Sequence, residues 1–406
     1  MKILFLNPVG NIGGAERSLL ELLSTLKKER PQWQLKVICG DHGPLIESLQ
    51  TLGVDVSVHR FPLEISTFGD SHLNDNGLFS KIFKFIVALP LLSFNLIKYL
   101  KIFKNILKVE EPDIIHSNGL KFHFISGIIK NDSGKLIWHA RDYLSNRKLA
   151  SILLRNFCNS PNMVIANSMS VLQDWKKIIP KTKFDVLYNS VFVEDAANYS
   201  NIRTSPLGQR ILGECRVGLV ASYAKWKGHE VFLKAINLLI SDPVLDKTIF
   251  FIVGGPIYKT SGSQWSRDEL EFLANKLGIA KRVHFVCHQN DMGPIYRDLD
   301  IVVHASTSPE PFGRTIIESM SFEKPIIASM AGGVVEIIED GLDGVGYQPG
   351  NAGELAEKIK LLVIDQNLRK GIGLAGLRKV LRKFDRKVIK DQICDIYEGL
   401  MEVKPC

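Results

Sequence analysis

Apolar residues along this chain come in short, dense runs, separated by longer stretches in which they recur at helical spacing. In the first half the runs are KILFLN, LKVICG, VDVSVH, PDIIHSN, KLIWHA, MVIANS and DVLYNS. In the second half they are RVGLVAS, TIFFIVGG, RVHFVCH, DIVVHAS and KPIIAS. Apolar positions within most runs are nearly continuous rather than alternating, the pattern of strands covered on both faces. Such strands alternating with helices predict parallel, doubly wound sheets, and two sets of them predict two Rossmann-like α/β domains. The polar stretch NYSNIRTSPLGQR, with Pro206 and Gly208, marks the boundary. The expected division is an N-terminal domain over 1–205 and a C-terminal domain over 206–384.

Most of the runs finish on a polar or small residue: Asn7, His116, His139, Asn167, Asn189, Ser222, Gly254–Gly255, His288 and Ser306. Ligands of open α/β sheets bind beyond the carboxyl ends of the strands. Any one of these residues does no more than mark a loop. The set as a whole points to a cleft between two facing sheet edges.

Composition narrows the class. A length of 406 residues exceeds one ordinary core. Hydrophobic residues at 45% and charged residues at 23% describe a globular protein rather than a disordered or fibrous one. The six cysteines are scattered without a C-x-x-C, which argues against a disulfide framework or a zinc site and fits a reducing compartment. A net charge of +8 permits an anionic partner without naming one. No aromatic-basic RNA motif accompanies it, so nucleic acid is not an expected partner. The N-terminus, MKILFLNPVGNIGG, is expected to begin a strand directly rather than to act as a signal peptide, because its apolar run is short and no small-residue cleavage site follows.

Four stretches carry candidate chemistry. NPVGNIGGAERSLLELL sets Gly10, Gly13 and Gly14 between the first strand and a helix. Glycines there fit close approach to a ligand or a plain tight turn, and the spacing is not the dinucleotide fingerprint. SYAKWKGHEVFLKAI places Lys225 and Lys227 before Gly228 at a helix start, where a lysine either reaches a phosphate or faces water. SPEPFGRTIIESM is more informative: Pro311 and Gly313 form a loop feeding a helix near Arg314. The first amides of that helix, at Gly313, Arg314 and Thr315, suit a diphosphate. Glu310 just outside it, and Glu318 further in, could accept hydrogen bonds from sugar hydroxyls and a ribose diol. For Glu318 the plain alternative is an exposed helix residue. MAGGVVEIIEDGLDGVGYQPGN adds a second close-approach turn at Gly332–Gly333 before a short helix. Asp298-Leu299-Asp300 resembles a metal-binding D-x-D, but it precedes a buried strand at the amino edge of the sheet, so no metal is assigned. His59, His123 and His229 show no ligand spacing.

The run from Arg282 to Leu362, with EPFGRTIIESM, KPIIASMAGGVVEIIEDGLDGVGYQPGN and the upstream Lys227–Gly228 pair, resembles the retaining glycosyltransferases of family four, the glycosyltransferase group one proteins. GGAE at Gly13–Glu16 and Asn167–Ser168 resemble weaker N-terminal marks of the same family. The resemblance implies a GT-B fold, two facing Rossmann-like domains with a last helix, over 385–406, crossing back to the N-terminal domain. It implies a nucleoside diphosphate sugar as donor, a UDP-sugar such as UDP-glucose being favoured because UDP donors are common in the family. The acceptor would be a glycan or a lipid-linked molecule in cell-surface polysaccharide synthesis. Glu310 would contact the donor sugar, Glu318 the ribose, and Lys227 the diphosphate. Gly13, Gly14, Ser222, Lys225, Gly254, His288, Phe312, Gly313, Arg314 and Thr315 would line the donor site. His139 matches a histidine near the sugar and the acceptor. Neither a metal nor another cofactor is implied. The reaction would run on one face of the sugar, unlike the paired carboxylates flanking the bond in many glycoside hydrolases. One departure stands out. Relatives carry an arginine five positions before the lysine, as a second phosphate partner, and here that residue is Ser222. The alternatives are a non-catalytic nucleotide-sugar binding protein, to which Ser222 points, and a nucleotide-sugar 2-epimerase of the same architecture.

The stretch Leu78 to Lys108 carries six lysines, several phenylalanines and no acid. Its apolar run is too short for a transmembrane helix, which needs roughly 20 apolar residues. It predicts amphipathic helices that cover the N-terminal sheet, with lysines facing water or an anionic membrane surface. The expected location is cytoplasmic, peripheral on the inner face of the plasma membrane, and the expected assembly is a monomer.

Overall fold

The computed structural model describes residues 1–62, 78–129, 134–193, 205–256, 262–289 and 291–402. The chain falls into two compact units, Met1–Tyr188 together with Lys390–Cys406, and Asn189–Ile389. The division therefore comes at Tyr188 and Asn189, whereas composition puts it at 205–206. Backbone pairing accounts for the earlier division. Val191 bridges to Asp385, donating to the Phe384 carbonyl at 3.0 Å and accepting from the Arg386 amide at 3.1 Å, which ties the start of the connecting segment into the second unit. Residues 194–204 of the expected boundary lie outside the described residues.

The first unit runs β1 (Lys2–Asn7), α1 (Gly14–Glu29), β2 (Gln34–Cys39), α2 (Pro44–Thr51), β3 (Asp55–Val58), α3 (Leu78–Glu110), β4 (Ile114–Ser117), α4 (Leu120–Ile128), β5 (Lys135–Ala140), α5 (Lys148–Phe157), β6 (Met163–Ala166), α6 (Met169–Ile178) and β7 (Lys183–Val186). Its strands form one sheet in the order β3-β2-β1-β4-β5-β6-β7, every pair parallel. Ile3, Leu4, Phe5 and Leu6 of β1 are fully buried, as continuous apolar composition requires of a central strand. In α3, Tyr99, Phe103 and Leu107 recur at helical spacing and pack with Phe61 and Phe122 against the sheet. Lys98, Lys101, Lys104 and Lys108 of the same helix are exposed. No described helix is long and apolar enough to cross a membrane.

The second unit runs β8 (Cys215–Val220), a 3-10 turn at Lys225–Lys227, α7 (His229–Leu239), β9 (Thr248–Gly254), α8 (Arg267–Lys276), β10 (Val283–Cys287), α9 (Gly293–Asp298), β11 (Ile301–His304), α10 (Arg314–Ser321), β12 (Ile326–Ser329), α11 (Val334–Ile337), β13 (Val345–Tyr347), α12 (Ala352–Ile364) and α13 (Gln366–Lys383). Its sheet, also parallel, has the order β10-β9-β8-β11-β12-β13. Strand β13 was not among the apolar runs of the sequence. It is three residues long and contains Gly346, where a Cβ would come within 2.7 Å of the Met330 side chain. The last helix, α14 (Arg386–Glu402), belongs to the first unit from Lys390 onward.

In each sheet the strand order reverses direction beside the first strand, between β1 and β4 and between β8 and β11. Connections leave in opposite directions at such a point and open a crevice at the carboxyl ends of the strands. The candidate residues sort onto these two edges.

Candidate active site

In the second unit the chemistry gathers where β8 and β11 end. The turn after β8 brings up Lys227, and the loop after β11 brings up Glu310. Two contacts hold these loops together. Thr307 donates its amide to the Trp226 carbonyl at 2.7 Å, and Gly228 packs so closely that a Cβ would lie 1.7 Å from the Ala305 carbonyl oxygen. Gly228 also has φ +74, a left-handed conformation that favours glycine. The Glu310 loop is fixed in turn by the second glycine pair: Gly333 donates to the Glu310 carbonyl at 2.7 Å, and Glu310 bridges to Gly332. A Cβ on Gly333 would lie 2.5 Å from the Pro311 carbonyl oxygen.

Held this way, Lys227 Nζ donates to both carboxylate oxygens of Glu310, at 3.0 and 2.7 Å. It also stands 4.0 Å above the centroid of the Trp226 ring, within cation–π range. Ser306 Oγ donates to Glu310 Oε2 at 2.8 Å, and His304 Nε2 lies 3.1 Å from the same oxygen. Since an ionised carboxylate only accepts, His304 donates to it from Nε2, and its Nδ1 lies 3.3 Å from Ser329 Oγ. Glu310 is 8% exposed. Burial by itself would raise its pKa, but the Lys227 charge and the His304 hydrogen bond outweigh burial and hold the carboxyl well below its ordinary range. The result is a fixed, ionised acid at the switch point of the sheet.

Beyond it, Gly313 caps α10 in a left-handed conformation, φ +102. The amides of the first turn, at Arg314 and Thr315, have no acceptor within the helix. One turn in, Glu318 accepts from Arg314 Nη2 at 3.0 Å and from Tyr296 Oη at 2.9 Å. Both its oxygens are therefore oriented, which excludes the simple exposed-residue alternative.

The other candidates of this unit differ in what they present. Ser222 is half-buried just past β8. Lys225 is exposed and stands 5.1 Å above the Trp265 ring, away from the Glu310 partners. Phe312 is 2% exposed and its ring packs edge-on against Phe384 at 5.9 Å, so its side chain belongs to the core. Gly254, φ +155, is explained by packing, since a Cβ there would lie 1.9 Å from the Ala221 carbonyl oxygen. His288 is exposed just past β10. Asp298 and Asp300 are tied up at the opposite edge. Asp298 pairs with Arg216 and Arg210, while Asp300 takes Arg210 at 2.9 Å and the Arg216 amide at 2.7 Å. Arg216 itself is 1% exposed.

The first unit has its own polar edge. Gly13 precedes α1, and its amide donates to Glu16 Oε2 at 3.0 Å, so that donor is already satisfied from within the helix. Glu16 is buried, and burial raises its pKa against the pull of nearby backbone amides and Arg141. Gly14 is the first residue of α1. Gly10 packs on the loop at His42–Gly43, where a Cβ would lie 2.3 Å from backbone. At the ends of β1 and β4, Asn118 Nδ2 donates to Asn7 Oδ1 at 2.7 Å, and Arg141 Nε donates to Asn118 Oδ1. His139, at the end of β5, is 2% exposed. Its Nδ1 lies 3.0 Å from His116 Nε2 and 3.4 Å from Arg141 Nη2, and its Nε2 has no partner. Burial, then the Arg141 charge, pushes its pKa well below the ordinary histidine value, so the ring is neutral. His304, Ser329, Tyr296, His116 and Arg141 were not assigned roles from sequence. Of these, His304 and Ser329 end strands and could have been singled out by that position, and His116 closes an apolar run without having been given a role, whereas Tyr296 and Arg141 carry no local signal.

Comparison with known proteins brings in two family models. One, described as glycosyl transferases group 1, matches residues 212–378, and the other, described as Glycosyltransferase Family 4, matches residues 12–195. The lipopolysaccharide core biosynthesis glycosyltransferase LpsE of Rhizobium meliloti is 32% identical over 144 residues, 36% of this chain and 41% of that protein. The chain thus matches well under half the length of that relative. The capsular polysaccharide biosynthesis glycosyltransferase CapM of Staphylococcus aureus is 25% identical over 46% of each chain. Among solved structures, Anabaena HepE in complex with UDP and glucose superposes with a TM-score of 0.76 at 25% identity, covering 99% of this chain and 100% of that one. Two parallel α/β sheets and this likeness put the chain in the GT-B fold class.

Proposed function

This chain belongs to the family 4, group 1 glycosyltransferases, and we propose that it moves a hexose from a UDP-sugar, UDP-glucose being favoured, onto a glycan or lipid-linked acceptor with retention of anomeric configuration. The observation that carries this reading is the Lys227–Glu310 pair at the carboxyl ends of β8 and β11. It supplies an oriented, ionised carboxylate next to an ammonium, followed immediately by a helix N-terminus. That sequence of groups matches the order of parts in a nucleotide sugar. Glu310 accepts from hydroxyls of the donor sugar. The α10 amides from Gly313 to Thr315, with Lys227, receive the diphosphate. Glu318 accepts from the ribose. Two ammonium hydrogens of Lys227 go to Glu310, leaving the third for a phosphate oxygen.

The chemistry asks the protein mainly to stabilise the departing diphosphate and to hold the sugar. Fixed dipoles and cations aimed at developing charge serve this without reorganisation. Lys227 and the helix amides take the part a metal plays elsewhere, so the reading requires no cofactor. The leaving phosphate helps to take the proton of the acceptor hydroxyl as the new bond forms on the same face. UDP is supported by the HepE complexes, which hold UDP, UDP with glucose, and UDP-glucose. A role in surface polysaccharide assembly is supported by the likeness to LpsE and CapM, glycosyltransferases of lipopolysaccharide core and capsular polysaccharide biosynthesis. Peripheral attachment to an anionic membrane is supported by exposed Lys98, Lys101, Lys104 and Lys108 beside exposed Phe94, Ile97 and Ile102 on α3.

One observation favours a second reading. Ser222 stands where relatives hold an arginine on the diphosphate, and Lys225 is turned to Trp265 instead. A protein that binds the nucleotide sugar without turning it over fits that loss. A panel of UDP-, GDP- and ADP-sugars, assayed first by thermal shift and then for nucleotide release, separates the readings. The proposed function predicts stabilisation and nucleotide release with a UDP-sugar. Stabilisation without release in the presence of a competent acceptor contradicts catalysis, and an epimerised sugar as product contradicts transfer.

A further inference from the structure

The first unit contains a buried chain of hydrogen bonds that begins on the last helix and ends on His139. Tyr397 Oη, on α14, lies 2.7 Å from His116 Nδ1. His116 Nε2 lies 3.0 Å from His139 Nδ1. Tyr397 and His116 are fully buried, and His139 is 2% exposed. His139 Nε2 has no hydrogen-bond partner.

A guanidinium only donates, and Arg141 Nη2 approaches His139 Nδ1 at 3.4 Å. A proton on Nδ1 would face that cation, whereas a lone pair is attracted to it, so Nδ1 is the acceptor. His116 must then donate to it from Nε2, which leaves His116 Nδ1 unprotonated and able to accept only. The phenol of Tyr397 is the donor that fills it. Burial raises the Tyr397 pKa and lowers those of His116 and His139, so each group keeps the neutral form this pattern needs. Each step fixes the next, and the chain ends with a proton on His139 Nε2. A buried N–H without an acceptor costs free energy. Such a donor is retained where a ligand oxygen can meet it.

We propose that His116 and Tyr397 are positioning residues that lock His139 as a neutral Nε2–H donor, aimed at a hydroxyl oxygen of the substrate and unable to act as a base there. The role of His139 toward substrate rests on the function proposed above; the tautomer does not. The assignment also gives the C-terminal segment a chemical task. From Lys390 onward it belongs to the first unit, and through Tyr397 it sets the protonation pattern of a residue at the far end of β5.

The test uses the full chain with ring-15N histidine, and long-range 1H–15N spectra that distinguish the two tautomers, with His139 assigned by the His139→Gln variant. The wild type is expected to show His139 protonated on Nε2. Tyr397→Phe and His116→Leu are expected to shift it toward a mixture. With UDP-glucose as the probe, both variants are expected to lower kcat about tenfold with little change in KM. His116→Gln, whose amide still donates to Nδ1, is expected to retain most of the activity. Thermal midpoints measured in parallel show whether each variant is folded, and His116→Gln carries the comparison if Tyr397→Phe is not. A proton on His139 Nδ1 in the wild type overturns the proposal. So does a Tyr397→Phe protein with unchanged tautomer and unchanged kcat. If the wild type releases no nucleotide from any donor, the proposed function fails, and the spectra still decide the tautomer.

Discussion

Lys227 Nζ lies 2.7 Å from Oε2 of Glu310, a residue 83 positions further along the chain. Lys227 helps to keep Glu310 ionised in a place where the carboxylate is not fully hydrated. The ionised Glu310 would be costly without Lys227, because removing one partner of a buried pair leaves an uncompensated charge. Lys227→Met is therefore expected to lower stability by about 3 kcal/mol, read from denaturant unfolding. Lys227→Met combined with Glu310→Gln should recover much of that loss while remaining inactive. A double variant no more stable than Lys227→Met would show that the pair is not what holds these loops.

The buried histidines give stability a pH dependence of known sign. His123 and His229 are pushed down to about 3, chiefly by burial, from an ordinary 6.5, and His116 and His139 also lie well below it. Below pH 6.5 the unfolded chain takes up protons that the folded chain refuses, so unfolding becomes more favourable as pH falls. Glu310 acts in the same direction below 4.5, since its folded pKa is depressed. Glu16, raised by burial, opposes it, because its folded form holds a proton longer. Stability should thus rise with pH up to about 6.5 and then level. Each such histidine contributes at most about 1.4 kcal/mol per pH unit. Replacing His229 by Leu should flatten the rise between pH 4 and pH 6, roughly by one proton's worth. An unchanged slope would mean that His229 is already protonated in the fold.

Glu318 and Glu310 should fail differently. Glu318, oriented by Arg314 and Tyr296, is assigned to the nucleotide, so Glu318→Ala is expected to weaken UDP binding about tenfold by calorimetry. Glu310→Ala should change UDP affinity far less and remove most of the turnover. The opposite pattern would reverse the two assignments.

Ser222 offers a gain-of-function test. The cations near the proposed diphosphate are largely engaged, Lys227 with Glu310, Arg314 with Glu318, and Lys225 over Trp265. An arginine at 222 adds a cation at the carboxyl end of β8. Ser222→Arg is expected to raise kcat about tenfold if departure of the diphosphate limits the rate. A wild-type enzyme at least as fast as the variant would show that its diphosphate is already fully compensated.

Much of the fold was legible because parallel strands buried on both faces write themselves as dense apolar runs. Strand β13 was not, since three residues with a central glycine leave no such run. At the site, the spacing of Glu310, Gly313 and Glu318 could be read because one loop and one helix carry all three. What surrounds them could not. Tyr296 meets Glu318 across 22 positions, and Tyr397 meets His116 across 281. Those contacts are made by packing of separate elements, and no local pattern records them. Phe312 and Lys225 illustrate the reverse case. Both sit beside candidate residues in the chain, yet one is buried on Phe384 and the other lies on Trp265.

In the function proposed above, the Lys227–Glu310 site turns over a nucleotide sugar with retention. Its most direct test is NMR observation of UDP-glucose with the wild type and with Glu310→Gln, following UDP release and the anomeric signal of the product. The account predicts UDP release by the wild type, an α-linked product from the α-linked donor, and a loss of about a hundredfold or more in the variant. A β-linked product, or equal release by Glu310→Gln, would contradict it.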